Sequence, residues 1–287
     1  MKQYFLLLIG FTIALSSCKK DNGSVCACDP VVLSAATYSD ISYGTDPAQK
    51  MDIYLPAART TTSTKTLILI HGGAWSAGDK NDLNPFIDSL KRRMPGYAIF
   101  NINYRLATFT GANLFPAQET DVKAAVDFIN GKKTDYVISD KFVLLGQSAG
   151  SHLALLQAYK YSTPSIKAVV DFFGPTDMVD MYNNPASSQA PAAGIALLLG
   201  GPPPSALYTS SSPINYVTNS VPPTIIFHGG VDQLVRVQQS TTLQASLSAH
   251  SVTNQYVYYP TEGHGWSGAN LTDSFDKLQA FVTLYVQ

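Results

Sequence analysis

Short apolar runs alternate with amphipathic stretches along most of the chain. The predicted strands are residues 37–43, 50–55, 67–70, 97–102, 142–145, 168–172, 224–227 and 255–259. The predicted helices are residues 83–93, 120–129, 148–159, 238–249 and 271–285. Continuous apolar runs without two-residue alternation are typical of strands buried on both faces of a parallel sheet. The pattern therefore predicts the α/β class, as a three-layer sandwich around a mostly parallel, eight-stranded sheet.

One long segment, residues 178–216, interrupts this alternation. It contains Asn183-Asn184-Pro185, a glycine pair at 200–201 and three prolines at 202–204, with a short apolar piece at 195–199. A connection of this length inside a compact domain is usually functional or an excursion from the fold. We expect a small lid-like insertion here, with a plain surface connection as the alternative.

The amino-terminal residues have the pattern of an export signal. A cationic start at residues 1–3 precedes an apolar stretch at 4–15, which would span roughly 18 Å as a helix against ~30 Å for a bilayer core. This length favours a signal peptide over a permanent membrane span. Residues 15–18, Leu-Ser-Ser-Cys, resemble the bacterial lipobox, in which cleavage precedes a cysteine that receives the lipid.

The lipobox predicts how the chain is organised. We expect a lipoprotein signal peptide over residues 1–17, a lipidated Cys18 with a flexible tether over 18–30, and one folded domain over 31–287. Acylation of Cys18 would make the protein an exported, membrane-anchored bacterial lipoprotein of the cell envelope. An ordinary secretory signal with a chance cysteine is the alternative.

Composition excludes several classes of protein. Hydrophobic residues make up 45% of the chain and charged residues 14%, the opposite of a natively disordered protein. A net charge of −1 without a concentrated basic face excludes a nucleic-acid partner. The three cysteines, Cys18, Cys26 and Cys28, lie at one end, which excludes a disulfide scaffold and a zinc ribbon. Neither His-Glu-x-x-His nor Cys-x-x-Cys occurs, so no metal site is predicted.

A G-x-S-x-G pentapeptide, Gly146-Gln147-Ser148-Ala149-Gly150, is the strongest chemical signal. A predicted strand precedes it and a predicted helix follows, which is the setting of a nucleophile elbow. Glycines are needed because side chains two residues before and after the serine would clash in so sharp a bend. Ser148 is therefore the predicted nucleophile, and an idle serine in a glycine-lined turn is the alternative.

A nucleophilic serine needs a base, and five histidines are available. His264 follows the last predicted strand between two glycines, which suits an exposed loop, and it is the predicted base. His71 and His228 also end strands but precede Gly-Gly and are interpreted as turn or support residues. His152 is interpreted as a packing residue of the elbow helix, and His250 closes a surface helix.

The predicted acid is Asp232, 84 residues after Ser148 and 32 before His264. This gives the chain order Ser, Asp, His expected for an elbow of this type. Asp177, after the preceding strand, is the rival carboxylate.

Backbone N–H donors for an oxyanion are predicted in two places. The loop at residues 71–75, His-Gly-Gly-Ala-Trp, follows a predicted strand, and its small residues let the backbone approach a tetrahedral oxygen. Ala149 supplies the N–H that follows the nucleophile.

With these motifs the chain resembles the α/β-hydrolase superfamily, and within it carboxylesterases related to hormone-sensitive lipase and to bacterial feruloyl and acetyl-xylan esterases. The resemblance runs from about Tyr38 to the C-terminus. It includes Tyr43-Gly44, Leu55-Pro56, Asn103-Tyr104-Arg105-Leu106, Phe115-Pro116-Ala117 with Asp121, and Ser212-Pro213-Ile214. It implies the nucleophile, acid and base at Ser148, Asp232 and His264. It also implies oxyanion donors at Gly73, Ala74 and Ala149.

The chain departs from the family pattern at three positions. Ala74 stands where lipase-like relatives have a third glycine, Ser151 replaces a common glycine after the elbow, and Arg236 replaces a frequent proline after the acid. None of these changes removes a catalytic group.

The resemblance implies a serine esterase that needs no cofactor and forms an acyl-enzyme on Ser148. We expect a small-molecule or carbohydrate ester as substrate, with short acyl chains. Trp75 and Trp266 flank the catalytic loops and are candidates to stack on a sugar or an aromatic acid, or else pack in the core. The alternatives are a serine peptidase of the same fold and a catalytically silent, glycan-binding surface lipoprotein.

Overall fold

The computed structural model describes residues 32–161, 163, 165–186 and 192–287. The predicted signal peptide, Cys18 and the tether lie outside the described residues. Val32–Gln287 forms one compact unit.

Eight strands form a single sheet in the order β1-β2-β4-β3-β5-β6-β7-β8. Their bounds are β1 Ala36–Ser42, β2 Lys50–Leu55, β3 Thr66–Ile70, β4 Ala98–Ile102, β5 Phe142–Gln147, β6 Ile166–Phe172, β7 Thr224–Gly229 and β8 Asn254–Tyr259. β2 pairs antiparallel with β1 and with β4, and all the other neighbours are parallel. The predicted mostly parallel, eight-stranded sheet is confirmed.

Nine α-helices are present among the described residues. Their bounds are α1 Asn84–Arg93, α2 Ala117–Gly131, α3 Lys133–Tyr136, α4 Ala149–Lys160, α5 Met178–Asn183, α6 Ala192–Leu198, α7 Ala206–Ser210, α8 Val237–Ala249 and α9 Gly268–Tyr285. The five predicted helices correspond to α1, α2, α4, α8 and α9, while the short α3 carries no apolar pattern. None of these helices combines the length and the hydropathy of a membrane span.

The sheet separates two apolar cores, which explains the continuous apolar runs. Ile68 and Ile70 of β3 face a core that includes buried residues of α2, α4 and α8. Leu67 and Leu69 of the same strand face a second core that includes α1 and α9. Each residue of the strand is therefore buried on one face or the other, and the chain forms the predicted three-layer sandwich.

The described parts of the excursion, residues 178–186 and 192–216, contain α5, α6, α7 and a short 3₁₀ turn at Pro213–Tyr216. Of the predicted apolar piece, Ile195, Leu198 and Leu199 are buried in the larger core. The piece is thus the C-terminal half of a core-packed helix and the residue after it.

Candidate active site

The elbow lies where β5 ends and α4 begins. Ser148, between the two elements, has a φ of 52° and a ψ of −120°, a strained conformation for a residue other than glycine. Its N–H donates to the carbonyl oxygen of Phe172 at 2.9 Å, which ties the elbow to β6.

The two glycines of the pentapeptide permit this bend. A Cβ on Gly146 would lie 2.4 Å from the carbonyl carbon of Gly150. A Cβ on Gly150 would lie 2.1 Å from the carbonyl oxygen of Ile70 in β3. Real Cβ atoms do not approach so closely, so the elbow needs glycine at both positions.

The structure brings the three predicted side chains together in one hydrogen-bonded series. His264 Nε2 lies 2.9 Å from Ser148 Oγ, and His264 Nδ1 lies 2.7 Å from Asp232 Oδ2. The three residues follow the C-terminal ends of β5, β7 and β8, where working residues of a parallel sheet collect. Side chains in this arrangement can act as a nucleophile, a base and an orienting carboxylate.

Asp232 is buried and remains ionised. Its Oδ1 accepts hydrogen bonds from the N–H groups of Leu234 at 2.8 Å and Val235 at 2.9 Å. Burial by itself would raise the pKa of Asp232, but hydrogen bonds from His228 and His264 hold that pKa well below its ordinary value. A carboxylate therefore faces His264 Nδ1 throughout the neutral pH range.

His228 supports this carboxylate from a second side. Its Nε2 donates to the carbonyl oxygen of Val235 at 2.9 Å and lies 3.4 Å from Asp232 Oδ2, while its Nδ1 lies 2.7 Å from Ser240 Oγ. The interpretation of His228 as a support residue agrees with these contacts. The rival Asp177 instead accepts from the N–H groups of Val179 and Asp180 and caps α5.

The predicted oxyanion loop has an unusual backbone. Gly73, Ala74 and Trp75 have consecutive positive φ values of 107°, 50° and 60°. A Cβ on Gly72 would lie 3.4 Å from the Cβ of Ser148, so this loop lies directly against the elbow. Among the described residues, no acceptor is hydrogen-bonded to the N–H of Gly73, Ala74 or Ala149.

Tyr104 contacts this loop, and the neighbouring Arg105 contacts α2 instead. The hydroxyl of Tyr104 donates to the carbonyl oxygen of His71 at 3.0 Å, and the two rings stack with centroids 4.3 Å apart. Arg105 pairs with the fully buried Asp121 at 2.7 Å. Tyr104 therefore holds the loop against the segment that follows β4, and Arg105 holds that segment against α2.

A cavity of about 630 Å³ opens over Ser148 and His264. Its walls are mainly apolar and aromatic, and they include Trp75, Phe86, Phe172, Phe173, Met181, Trp266 and Leu271. The ring of Phe173 lies 4.6 Å from that of His264 and 5.4 Å from that of Trp266, centroid to centroid. Both predicted tryptophans line the cavity, but Trp75 is only 4% exposed, so most of its ring packs inside the protein.

Most of the apolar wall residues were not predicted from the sequence, including Phe86, Phe173, Met181 and Leu271. Phe86 lies on α1, Phe173 follows β6, Met181 lies on α5 and Leu271 lies on α9. Only the fold brings these distant segments together, and each residue reads in the sequence as an ordinary core position. From the described parts of the excursion, Met181 alone lines the cavity. Among the described residues, no group of three or more His, Cys, Asp or Glu side chains could hold a metal ion.

The chain is similar to several known proteins. The family model described as BD-FAE matches residues 51–247. Esterase LipC of Mycobacterium tuberculosis is 26% identical over 79% of this chain and 59% of its own length. Esterase LipQ of the same organism is 28% identical over 81% of this chain and 58% of its own length. The chain thus spans about three fifths of the length of these curated relatives.

Two solved structures share the fold over most of the chain. A bifunctional GH43-CE protein of Bacteroides eggerthii has a TM-score of 0.75 and 30% identity, covering 88% of this chain and 38% of that one. A truncated carbohydrate esterase from gut microbiota has a TM-score of 0.74 and 27% identity, covering 88% of this chain and 96% of that one. These similarities confirm the predicted α/β-hydrolase fold, and the chain belongs to the BD-FAE family of α/β-hydrolases.

Proposed function

We propose that this protein hydrolyses carboxylic esters, with Ser148 as nucleophile, His264 as base and Asp232 as orienting acid. The observation that carries the proposal is the continuous series from Ser148 Oγ through both His264 nitrogens to Asp232 Oδ2, with distances of 2.9 and 2.7 Å. The names of the relatives, esterases LipC and LipQ and a carbohydrate esterase, support the same activity.

The reaction proceeds in two half-reactions. His264 Nε2 accepts the proton of Ser148 as Oγ attacks the ester carbonyl, and the resulting imidazolium is stabilised by Asp232. His264 then gives the proton to the departing alcohol, which leaves an acyl group on Ser148. Water repeats the sequence with His264 as base and releases the carboxylic acid. The steps need no cofactor.

Charge on the carbonyl oxygen is held by backbone donors. The N–H groups of Gly73, Ala74 and Ala149 are the donors that we assign to it. Ala149 also begins α4, whose N-terminal dipole favours the developing negative charge. Loss of one donor of this kind typically costs about 10²- to 10³-fold in kcat.

Short acyl groups, or acyl groups carried on carbohydrate, are the substrates that we propose. The aromatic walls around Phe173 and Trp266 suit a compact apolar or ring-shaped group. Met181 is the single contribution of the described excursion to these walls, which argues against a long covered trough.

We expect kcat/KM to be highest for acetyl to butyryl p-nitrophenyl esters and to fall steeply by about ten acyl carbons, because no described segment covers a longer chain. In a pocket with room for it, each additional buried methylene would strengthen binding by about 0.8 kcal/mol, and kcat/KM would rise with chain length instead. A series with a constant nitrophenyl leaving group isolates the acyl effect. A kcat/KM that rises through twelve carbons would contradict the short-acyl proposal.

The same series separates the two alternatives. A serine peptidase would also cleave peptide p-nitroanilides, which we expect this protein to leave intact. A catalytically silent glycan-binding protein would release no nitrophenol and would not react with a fluorophosphonate. Hydrolysis of the esters without cleavage of the anilides is the outcome that the proposal requires.

Envelope anchoring through Cys18 is a further proposal, supported by the lipobox-like residues 15–18. We expect the wild-type protein in the membrane fraction and Cys18→Ser in the soluble or unprocessed fraction, because serine cannot receive the thioether-linked lipid. Cys26→Ser is the matched control and should stay with the membranes. A wild-type protein already soluble without detergent after export would contradict lipidation.

A further inference from the structure

A buried hydrogen-bonded chain links the oxyanion loop to the excursion through the elbow helix. Trp75 Nε1–H donates to His152 Nδ1 at 3.1 Å, and His152 Nε2 lies 2.6 Å from the carbonyl oxygen of Ser211. His152 and Ser211 are fully buried, and the rings of Trp75 and His152 meet edge to face with centroids 5.1 Å apart. The mechanism proposed above uses none of these three side chains.

The partners define the protonation of His152. A carbonyl oxygen only accepts, so His152 Nε2 must carry hydrogen and donate to Ser211. An indole N–H only donates, so His152 Nδ1 must be bare and accept from Trp75. The ring is therefore neutral, with both nitrogens satisfied.

The surroundings favour this neutral state. Burial lowers the pKa of His152 to about 4, with a smaller lowering contribution from the charge of Lys160 on the same helix and an opposing one from the hydrogen bond to Ser211. Lys160 itself pairs with Glu119 of α2 at 2.7 Å. The remaining faces present the aromatic rings of Trp75 and Phe115.

Trp75 is held at two points. Its side chain is fixed by His152, and its carbonyl oxygen accepts from the N–H of Ala107 at 2.9 Å. It follows Ala74 in a run of three positive φ values, a conformation that persists only where the surroundings impose it. The position of the Ala74 N–H is therefore set by how Trp75 is held.

We propose that His152 is a positioning residue that fixes the oxyanion loop through Trp75, so that the N–H groups of Gly73 and Ala74 point at the reacting carbonyl. This inference rests on the proposed ester hydrolysis. A displacement of about 1 Å in a catalytic group can cost about 10²-fold in rate. A loosened loop should therefore lower kcat while leaving substrate binding in the apolar cavity nearly unchanged.

Two substitutions at His152 separate its two hydrogen bonds. His152→Gln can still donate to Ser211 but leaves the Trp75 N–H without an acceptor, and we expect kcat to fall about tenfold to a hundredfold, with KM within about threefold. His152→Asn places its amide oxygen near the former Nδ1, so we expect it to recover most of that loss. Tyr159→Phe is the control, since it removes a buried hydrogen bond to Thr224 from the same helix. It should lower the melting temperature without changing kcat.

Fluorescence gives a readout that does not depend on turnover. The chain has two tryptophans, so Trp75 is the only one left in Trp266→Phe. Protonation of His152 would put a second N–H opposite the indole N–H and break the contact. We expect the Trp75 emission to titrate near pH 4, and the titration to be absent when His152→Asn is added.

The possible results can be told apart. Absence of ester hydrolysis by the wild type would refute the proposed function, whatever the fluorescence shows. A wild type that hydrolyses esters alongside a folded His152→Gln with unchanged kcat would overturn the positioning role alone. If His152→Gln does not fold, Trp75→Phe takes its place, because it removes the N–H and keeps an aromatic ring. An unchanged kcat in that variant would overturn the role equally.

Discussion

Replacing Ser148 with alanine is expected to lower kcat for p-nitrophenyl acetate by about 10⁴- to 10⁶-fold, because no other group can form the acyl-enzyme. The cavity and the backbone donors remain in the variant, so KM and the melting temperature should change little. Steady-state kinetics measures the fall in kcat. Intact mass after fluorophosphonate treatment measures whether the protein still reacts covalently with the probe. The variant should gain no mass.

Ser151→Ala is the matched control for this substitution. Ser151 lies one helical turn along α4, where its hydroxyl donates to the carbonyl oxygen of Gly146 at 3.0 Å and accepts from the Phe172 N–H at 2.9 Å. Both hydrogen bonds of Ser151 are to backbone groups, and its side chain does not line the cavity. The Ser151→Ala control should therefore still react with the probe and gain its mass. Turnover by Ser148→Ala within tenfold of the wild type would refute the nucleophile assignment.

Asp232→Asn is expected to lower kcat by about 10²- to 10⁴-fold with little change in fold. The structure dictates how the amide would lie. The N–H groups of Leu234 and Val235 both donate to Oδ1, so the asparagine oxygen must stay there and its NH₂ must face His264 Nδ1. His264 would then carry its hydrogen on Nε2 and could not accept the proton of Ser148. Stopped-flow or steady-state turnover at neutral pH measures the loss.

Asp177→Asn tests whether the loss of activity in Asp232→Asn depends on the position of the carboxylate or only on the loss of one negative charge. Asparagine caps helices about as well as aspartate, so α5 should persist and kcat should stay within about twofold of the wild type. If Asp177→Asn lost more activity than Asp232→Asn, the acid would have been assigned to the wrong carboxylate.

Much of the fold was predictable because the central strands are buried on both faces. In β3 and β4 every residue is buried, and such runs stand out in any sequence. The first residues of the helices were harder to predict from the sequence. The first turn of α2 buries Gln118 and Glu119, and α9 begins with the exposed Gly268 and Ala269, so hydrophobic periodicity begins only later in both helices.

Strand order could not be read in the same way. β2 lies between β1 and β4, and β3 lies between β4 and β5, although neither order follows the chain. The choice of neighbour is a non-local property of the sheet, and no local pattern of hydrophobic residues records it. The sequence analysis therefore predicts a mostly parallel sheet but not the order of its strands.

The three residues of the candidate triad could be selected from the sequence because each has a local signature, whereas the residues that support them could not. Glycines mark Ser148 and His264, and chain order marks Asp232. Nothing local distinguishes His152 from an ordinary packing residue, since its two partners are 77 and 59 residues away. Phe173 likewise reads as a strand-end aromatic until its ring lies beside His264.

The positive φ angles around the cavity have a consequence for the evolution of this protein. Ala74, Trp75, Ser148 and Phe173 each carry a conformational cost on the order of 1 kcal/mol, which the rest of the fold must offset. Selection for heat resistance would favour substitutions that remove the conformational cost at these four residues. Selection for turnover would preserve their positive φ angles. Ala58, Val137 and Ser251 bear a similar cost outside the cavity wall. Thermostable descendants should therefore accumulate glycine or asparagine at those three positions first.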